Sequence, residues 1–433
     1  MRIRKDESGQ MLVMTALSLV LLMGFVALAI DVGLLFRAQR NMQIAADAAA
    51  VAAALDASYS ATPNPTSAAD ASALLNGVTS NYVTMNTPPQ FGWHLNTGYY
   101  EVIVKTPNPT YFMNVFGFNS INVAARAVAG IVPSPFCGYV QNTTSTGTSM
   151  VVKGGGGSGN TIESPGCGWH VNSSSPNALC DQGQSTIDAT GVTLVGGQST
   201  KGGCNVVSGY PNAPVSPGGS VIDDPYKNFI GPTSASSIPP CTMDNSTTSI
   251  GSTSGYAAPG AGNAVCFSNA INLGDKNGTL KLGSGTYVFL NGVTMTGNVA
   301  VTNGTIDVEQ GQWTQGNYAL SLTAPTAGIY NSLAFMMPST NTQSTCGQSI
   351  SSMGFTGQSG SPCLQLQFGS GSGTLDGVIY APTATVWMQD SGGGTQATGI
   401  VAWNLFVNSQ LDITSYNALH PSTTPLKTIE MVE

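Results

Sequence analysis

Two pairs of carboxylates are the residues of this chain whose chemistry could perform hydrolysis. Asp307 with Glu309, and Asp376 with Asp390, each offer the acid and the base or nucleophile that cleavage of a glycosidic bond requires. Spacing along the chain does not by itself bring either pair across a cleft. Elimination on a polysaccharide would instead need a strong base, commonly Arg or Lys, and no Arg follows Arg126. Trp313, Trp387 and Trp403 could stack on sugar rings, although side chains this large more often fill a core.

The remaining motifs weaken on inspection. Asp56-Ala57-Ser58-Tyr59-Ser60 fits the D-x-S-x-S of a metal-binding adhesion loop. That loop needs a buried hydrophobic strand before the Asp, whereas Val51-Ala52-Ala53-Ala54-Leu55 continues an alanine-rich helix, so Asp56 to Ser60 reads as the helix end. Gly154, Gly156 and Gly159 satisfy G-x-G-x-x-G, but no helix opens behind them to receive a pyrophosphate. The three histidines, His94, His170 and His420, lie far apart, and no C-x-x-C spacing occurs. We expect no catalytic residue, no cofactor and no metal site, and read the chain as no enzyme.

The eight cysteines are Cys137, Cys167, Cys180, Cys204, Cys241, Cys266, Cys346 and Cys363. An even number confined to one region reads as disulfides made in an oxidising compartment, with the pairing left open. Charged residues make up 8% of the chain, against about 25% in an ordinary soluble protein. Gly is abundant at 53 residues, which suits short strands joined by tight turns. The net charge of −8 leaves no basic surface to track phosphates, so nucleic acid is not an expected partner.

Residues 1–10 form a cytoplasmic stub, and residues 11–30 an uncharged run of about the length that crosses a hydrocarbon core as a helix. Arg2, Arg4 and Lys5 precede it, so the positive-inside rule keeps the N-terminus in the cytoplasm and exports the rest. Arg37 and Arg40 on the far side oppose that bias without reversing it. Cleavage as a signal peptide after Ala27-Leu28-Ala29 is the main alternative, although the apolar run exceeds the usual h-region. Prepilin processing after Gly9 is disfavoured because Met14 stands where such pilins usually carry Glu. Asp31 marks the membrane exit, where a carboxylate stays hydrated.

Residues 31–57 continue as an alanine-rich helix. Leu35, Ala38, Met42, Ala45, Ala49 and Ala52 form a heptad-like seam of mostly small residues. The seam could pack on the chain's own later segments or dock on partner helices, and Asp47 sits on a solvated face or at an inter-helix contact. The segment combines Gly9-Gln10, the apolar span, Ala29-Ile30-Asp31-Val32-Gly33, Phe36-Arg37-Ala38-Gln39-Arg40 and Gln43-Ile44-Ala45-Ala46-Asp47-Ala48-Ala49-Ala50. In that order these residues resemble the N-terminal domain of TadG-like pilus-assembly proteins, over about residues 7–56. More loosely, Pro109-Thr110-Tyr111-Phe112 and Val123-Ala124-Ala125-Arg126-Ala127 look similar too. The resemblance implies a single-pass accessory protein of the bacterial inner membrane, with its bulk in the periplasm or cell envelope. Its partners would be other membrane proteins of the Tad/Flp pilus machinery. It implies no catalytic residue.

After a polar break at residues 58–71, residues 72–130 read as a small α+β module with a helix near 71–83. Residues 131–270 are a cysteine-containing Gly/Ser-rich β region, 271–420 a β-solenoid-like region and 421–433 a tail. Short alternating strands such as Thr286-Tyr287-Val288-Phe289-Leu290 are punctuated by Asn291-Gly292 and Asn303-Gly304. The fold class is mainly β with an N-terminal transmembrane α-helix. A right-handed parallel β-helix with asparagines laddering between turns is expected for the exported domain, with a β-sandwich as the alternative. The function read from the whole is a membrane-anchored structural protein of pilus assembly. A surface adhesin that binds glycans is the second reading, and a polysaccharide-degrading β-helix the third.

Overall fold

A computed structural model describes residues 8–59, 63–154, 161–183, 185–200, 203–205, 214–226, 241–251, 256–326, 330–338, 341, 363–368, 373–390, 395–408, 410–413 and 426–433. The protein is mainly β, with one long apolar N-terminal helix. It divides into two compact units, one of residues 1–132 with 428–433 and one of residues 133–427.

The first unit is built on α1 (Ser8–Tyr59), a single helix of 52 residues. Residues 11–36 of α1 present apolar side chains outward, as Leu12 at 73% and Val20 at 68% exposure show. Its second half changes character. Ala45, Ala46, Ala49, Ala50, Ala53 and Ala54 are fully buried against Ala69 and Ala73 of α2 (Pro65–Leu75) and against a four-stranded sheet. Alanine favours the helix and lets its partners come close. The helix α2 begins earlier than the pattern around 71–83 suggested. Asn64 caps it by accepting the Ser67 N–H at 3.2 Å, Pro65 suits the first helical position, and Gly77 turns left-handed just past the end.

The sheet has the order β1 (Val83–Asn86), β2 (Tyr99–Pro109), β3 (Ser120–Pro133) and the C-terminal strand Lys427–Met431. β2 and β3 form a long antiparallel hairpin, with Tyr99 opposite Gly130 and Pro109 opposite Ser120. Residues 427–431 are therefore a strand of this sheet rather than part of a detached tail, because β3 offers them an open edge.

The described strands of the second unit form three long, mainly parallel ladders, with Cys204–Asn205 pairing antiparallel to Asp181 and Gln182. In the ladder that holds Ala264–Phe267, Gly285–Phe289, Gly304–Val308 and Leu333–Met336, each of the first three strands pairs with the one three places further along the chain. Ile271–Leu273 and Val293–Met295 belong to the second ladder, Thr279–Leu282 and Asn298–Val301 to the third. The strand Gly373–Asp390 runs through all three ladders in turn, and Thr395–Asn408 does the same beside it. One hydrophobic cluster draws side chains from every ladder, so the apolar alternation of each short strand points to a shared core. Phe267, Phe289, Trp313 and Phe335 form a continuous aromatic run within it. The boundary drawn at 270/271 disappears, since Cys241–Asp244 and Ala264–Phe267 lie in the same ladder as the later strands.

The order of strands in space is not the order in the chain. The late strand Thr395–Asn408 pairs in parallel with the early strands Phe136–Val140 and Met150–Lys153. The ladders thus run from residue 241 up to 413 and then continue with residues 136 to 217. The chain enters and leaves the unit at neighbouring points, where the Ser134 N–H donates to the Leu426 carbonyl at 2.9 Å.

The turns follow from the same topology. Asn291-Gly292 links strands of two different ladders, so it is a corner and not a hairpin. Gly292 and Asn303 adopt left-handed φ values of 77° and 54°, which Gly and Asn tolerate best. Corner asparagines do ladder between neighbouring strands. The Asn142 amide donates to the Asn404 side-chain oxygen at 2.7 Å, and Asn404 donates to Thr385 at 3.3 Å.

Candidate functional site

Asp31, expected as a hydrated boundary residue, is 1% exposed. Its carboxylate accepts three backbone N–H groups from the tip of the β2–β3 hairpin: Tyr111 at 3.0 Å, Phe112 at 2.9 Å and Met113 at 2.6 Å. A short 3-10 turn, Met113–Phe116, aims these donors at one point. Charge-assisted bonds of this kind are about twice as strong as neutral ones. Asp31 therefore clamps the hairpin to α1 at the end of the apolar run. No local pattern foretold this, because the partners lie 80 or more residues away.

The alanine seam continues along the same helix, and its fully buried part begins about four turns beyond Asp31. Ala45 and Ala49 are fully buried, whereas Leu35, Ala38, Met42 and Ala52 are half-buried. The buried stripe proceeds through the pairs 45/46, 49/50 and 53/54, and it packs on α2 and the sheet of the same chain. Gln43 fastens the contact by donating to Asp47 at 2.7 Å and to the Arg126 carbonyl at 3.0 Å.

Arg126 is the second polar hub of this unit. Its guanidinium binds the fully buried Glu101 at 2.5 Å and Glu433 at 2.7 Å. Glu101 also accepts from the Asn86 amide at 2.8 Å and the Gln90 N–H at 3.1 Å. Burial alone would raise the Glu101 carboxyl, but the hydrogen bonds from Arg126, Gln90 and Asn86 outweigh it and leave it below its ordinary range.

The carboxylate pairs fare differently. Asp307 is 0% exposed, and neither of its oxygens has a hydrogen-bond partner among the described residues. Burial first, and the neighbouring Glu309 second, push its pKa well above the usual carboxylate value. Burial raises Glu309 to about 7. Both side chains are buried in the second unit. Asp376 lies opposite Thr323 in the third ladder, while Asp390 stands at the far end of the same strand opposite Phe368 in the second. The fold does not join them into one site. Trp313 and Trp387 are buried, and Trp403 is half-buried.

Among the described residues three cysteine pairs are disulfides: Cys137–Cys167, Cys180–Cys204 and Cys241–Cys266, with Cα separations of 5.6, 5.1 and 5.8 Å. Cys180–Cys204 and Cys241–Cys266 join neighbouring strands of the second unit, and Cys137–Cys167 joins the strand Phe136–Val140 to the residue just before its neighbour Gly168–Val171. Cys363 begins the strand Cys363–Phe368, and Cys346 lies outside the described residues, as do His420, Gly156 and Gly159. His170 is buried and bonded to Asn172 at 3.0 Å, and His94 stacks on Tyr99. No cluster of three metal-ligating side chains occurs among the described residues.

The chain thus combines a long helix, apolar and exposed over its first half and held at Asp31 to a small α+β sheet, with a mainly parallel β unit; that helix is long and apolar enough to cross a membrane. Residues 9–56 match the family described as putative Flp pilus-assembly TadE/G-like, so this chain carries a Tad segment at its N-terminus. No curated protein and no solved structure matches the chain.

Proposed function

We propose that this protein is a membrane-anchored, non-catalytic structural component of Tad/Flp pilus assembly. The observation that carries the reading is the Tad match over residues 9–56, which ends where α1 leaves its packed alanine stripe. α1 has one stretch long and apolar enough to cross a membrane, and only 6% of that stretch is buried. Arg2, Arg4 and Lys5 argue for a cytoplasmic N-terminus in the inner membrane. The three disulfides argue for a periplasmic or envelope location of the body, since such bonds persist in oxidising compartments.

The body is a right-handed parallel β-helix in this reading. Support comes from the parallel pairing of strands with their third successors between Ala264 and Leu322, from the single core shared by three ladders, and from the asparagine pair that bridges neighbouring strands. Its partners are other membrane proteins of the pilus machinery. Burial of Trp313 and Trp387 removes two of the three aromatic platforms that a glycan-binding adhesin would have used.

Deleting residues 11–55 in the producing bacterium tests the proposal. We expect loss of pili and release of the body from the membrane fraction. Normal piliation together with unchanged fractionation would refute it.

A further inference from the structure

We propose that the tip of the β2–β3 hairpin, residues 111–118, inserts into the lipid acyl chains beside α1 as a second membrane anchor. The inference rests on the reading of residues 11–30 as a membrane span. The tip reads Tyr-Phe-Met-Asn-Val-Phe-Gly-Phe, and no charged residue lies between Lys105 and Arg126. Val115 is 83% exposed, Phe116 81%, Tyr111 65% and Phe118 56%. Contiguous apolar exposure on this scale marks an interaction surface.

Its position selects lipid as the partner. Phe112, Val115, Phe116 and Phe118 face Val20, Leu21 and Leu28 of α1 across an open apolar cleft of about 700 Å³. Val20 lies about 16 Å along the helix from Asp31, roughly half of the ~30 Å hydrocarbon core. The tip thus runs down the exported half of the span.

The backbone is prepared for that medium. Irregular chain enters hydrocarbon only if its polar groups are satisfied internally. Thr110 N–H donates to the Asn119 carbonyl at 3.2 Å, and the next three N–H groups are held by Asp31. Val115, Gly117 and Phe118 donate to the carbonyls of Phe112, Asn114 and Met113 at 3.1, 3.0 and 3.2 Å. Asp31 is then a positioning residue: it seals the donors that the lipid could not.

The test uses the full chain reconstituted in vesicles of phosphatidylethanolamine and phosphatidylglycerol. A photoreactive benzophenone amino acid replaces Phe116, Leu21 or Leu75 in separate proteins. Phe116 and Leu21 are exposed, and Leu75, 90% exposed on α2, serves as the aqueous control. After irradiation, mass spectrometry counts phospholipid adducts. We expect adducts at Phe116 within threefold of those at Leu21 and at least tenfold above Leu75. Labelling at Leu21 with Phe116 at the Leu75 level would overturn the insertion while sparing the span. Absence of labelling at Leu21 would sink the membrane reading itself and this inference with it. A crosslink from Phe116 to a second copy of the chain in place of lipid would overturn the choice of partner. Replacing Asp31 by Ala in the Phe116-labelled protein should lower its lipid adducts severalfold and leave those of the Leu21-labelled protein unchanged.

Discussion

Asp31 shows how one side chain can serve two environments. At the end of an apolar run its charge opposes deeper burial, yet it is covered by three peptide N–H groups that share the charge. Asp31→Ala removes the acceptor and leaves those donors without a partner. Loss of one such acceptor costs about 1–3 kcal/mol, more when the group is charged. We expect a lower thermal midpoint for the first unit in detergent micelles, with increased hydrogen exchange at Tyr111, Phe112 and Met113. Asp307 and Glu309 illustrate the opposite case, carboxyls buried without a counter-charge. Burial raises both, so the folded protein holds their protons more tightly than the unfolded chain does. Their stabilising linkage is complete below the ordinary carboxylate range and is lost as pH rises through about 7 for Glu309. Replacing Glu309 by Gln should reduce the fall in melting temperature of the second unit between pH 5 and pH 8. Calorimetry of both proteins checks this, and an unchanged difference would contradict the assignment.

At the scale of elements, Arg126 of β3 is the polar link between the strands of the first unit's sheet. Arg126 ties Glu101 of β2 to Glu433 beyond the C-terminal strand. Removing one partner of a buried pair leaves an uncompensated charge, at a cost of about 3–5 kcal/mol. Arg126→Ala should therefore destabilise this unit by about that amount in denaturant titrations. Because hydrogen bonds hold Glu101 below its ordinary pKa, the stability it supplies is present above the unfolded carboxylate value and lost as pH falls. The Arg126→Ala protein should show a weaker acid dependence than the parent. Nothing about Arg126 as one charge in a stretch of apolar residues announced this role, although its isolation there was visible. The α1 seam was legible as a stripe of small residues, because alanine spacing is a local property. Which helix or sheet would cover that stripe was not.

For the whole molecule, the most consequential feature is the reordered ladders. The chain begins the second unit in the middle of the stack, proceeds to one end, and then crosses to the other end between Pro217 and Cys241. The longest ladder spans about 48 Å at the usual strand spacing of about 4.8 Å. The crossing has about 23 residues, with a reach of about 80 Å, so it is amply long. Its described part runs across the strands: Ile222 donates its N–H to Asn172 at 2.9 Å, and Asp224 accepts from the Tyr380 hydroxyl at 2.9 Å. The three disulfides each stay within one side of the crossing. A protease site inserted between residues 227 and 240 should thus yield two fragments that remain associated through the pairing of Ile400, Val401 and Ala402 with Gly138, Tyr139 and Val140. Size-exclusion chromatography after cleavage, without denaturant, checks it. Separation of the fragments would show that the crossing itself holds the stack together.

Local chemistry was decided in the sequence. A run of apolar residues with basic residues before it defines a long exposed helix, alanines define a close-packing stripe, and alternating short strands with Asn-Gly corners define a mainly β body. These properties depend on neighbours within a few positions, where periodicity and turn preference act. Tertiary structure alone decided that Asp31 grips a hairpin 80 residues away, that late strands stack beside early ones, which cysteines pair, and that Asp376 and Asp390 stand in different ladders. Those outcomes turn on which distant surfaces bury each other best, and burial is a property of the whole folded chain that no short window of residues carries.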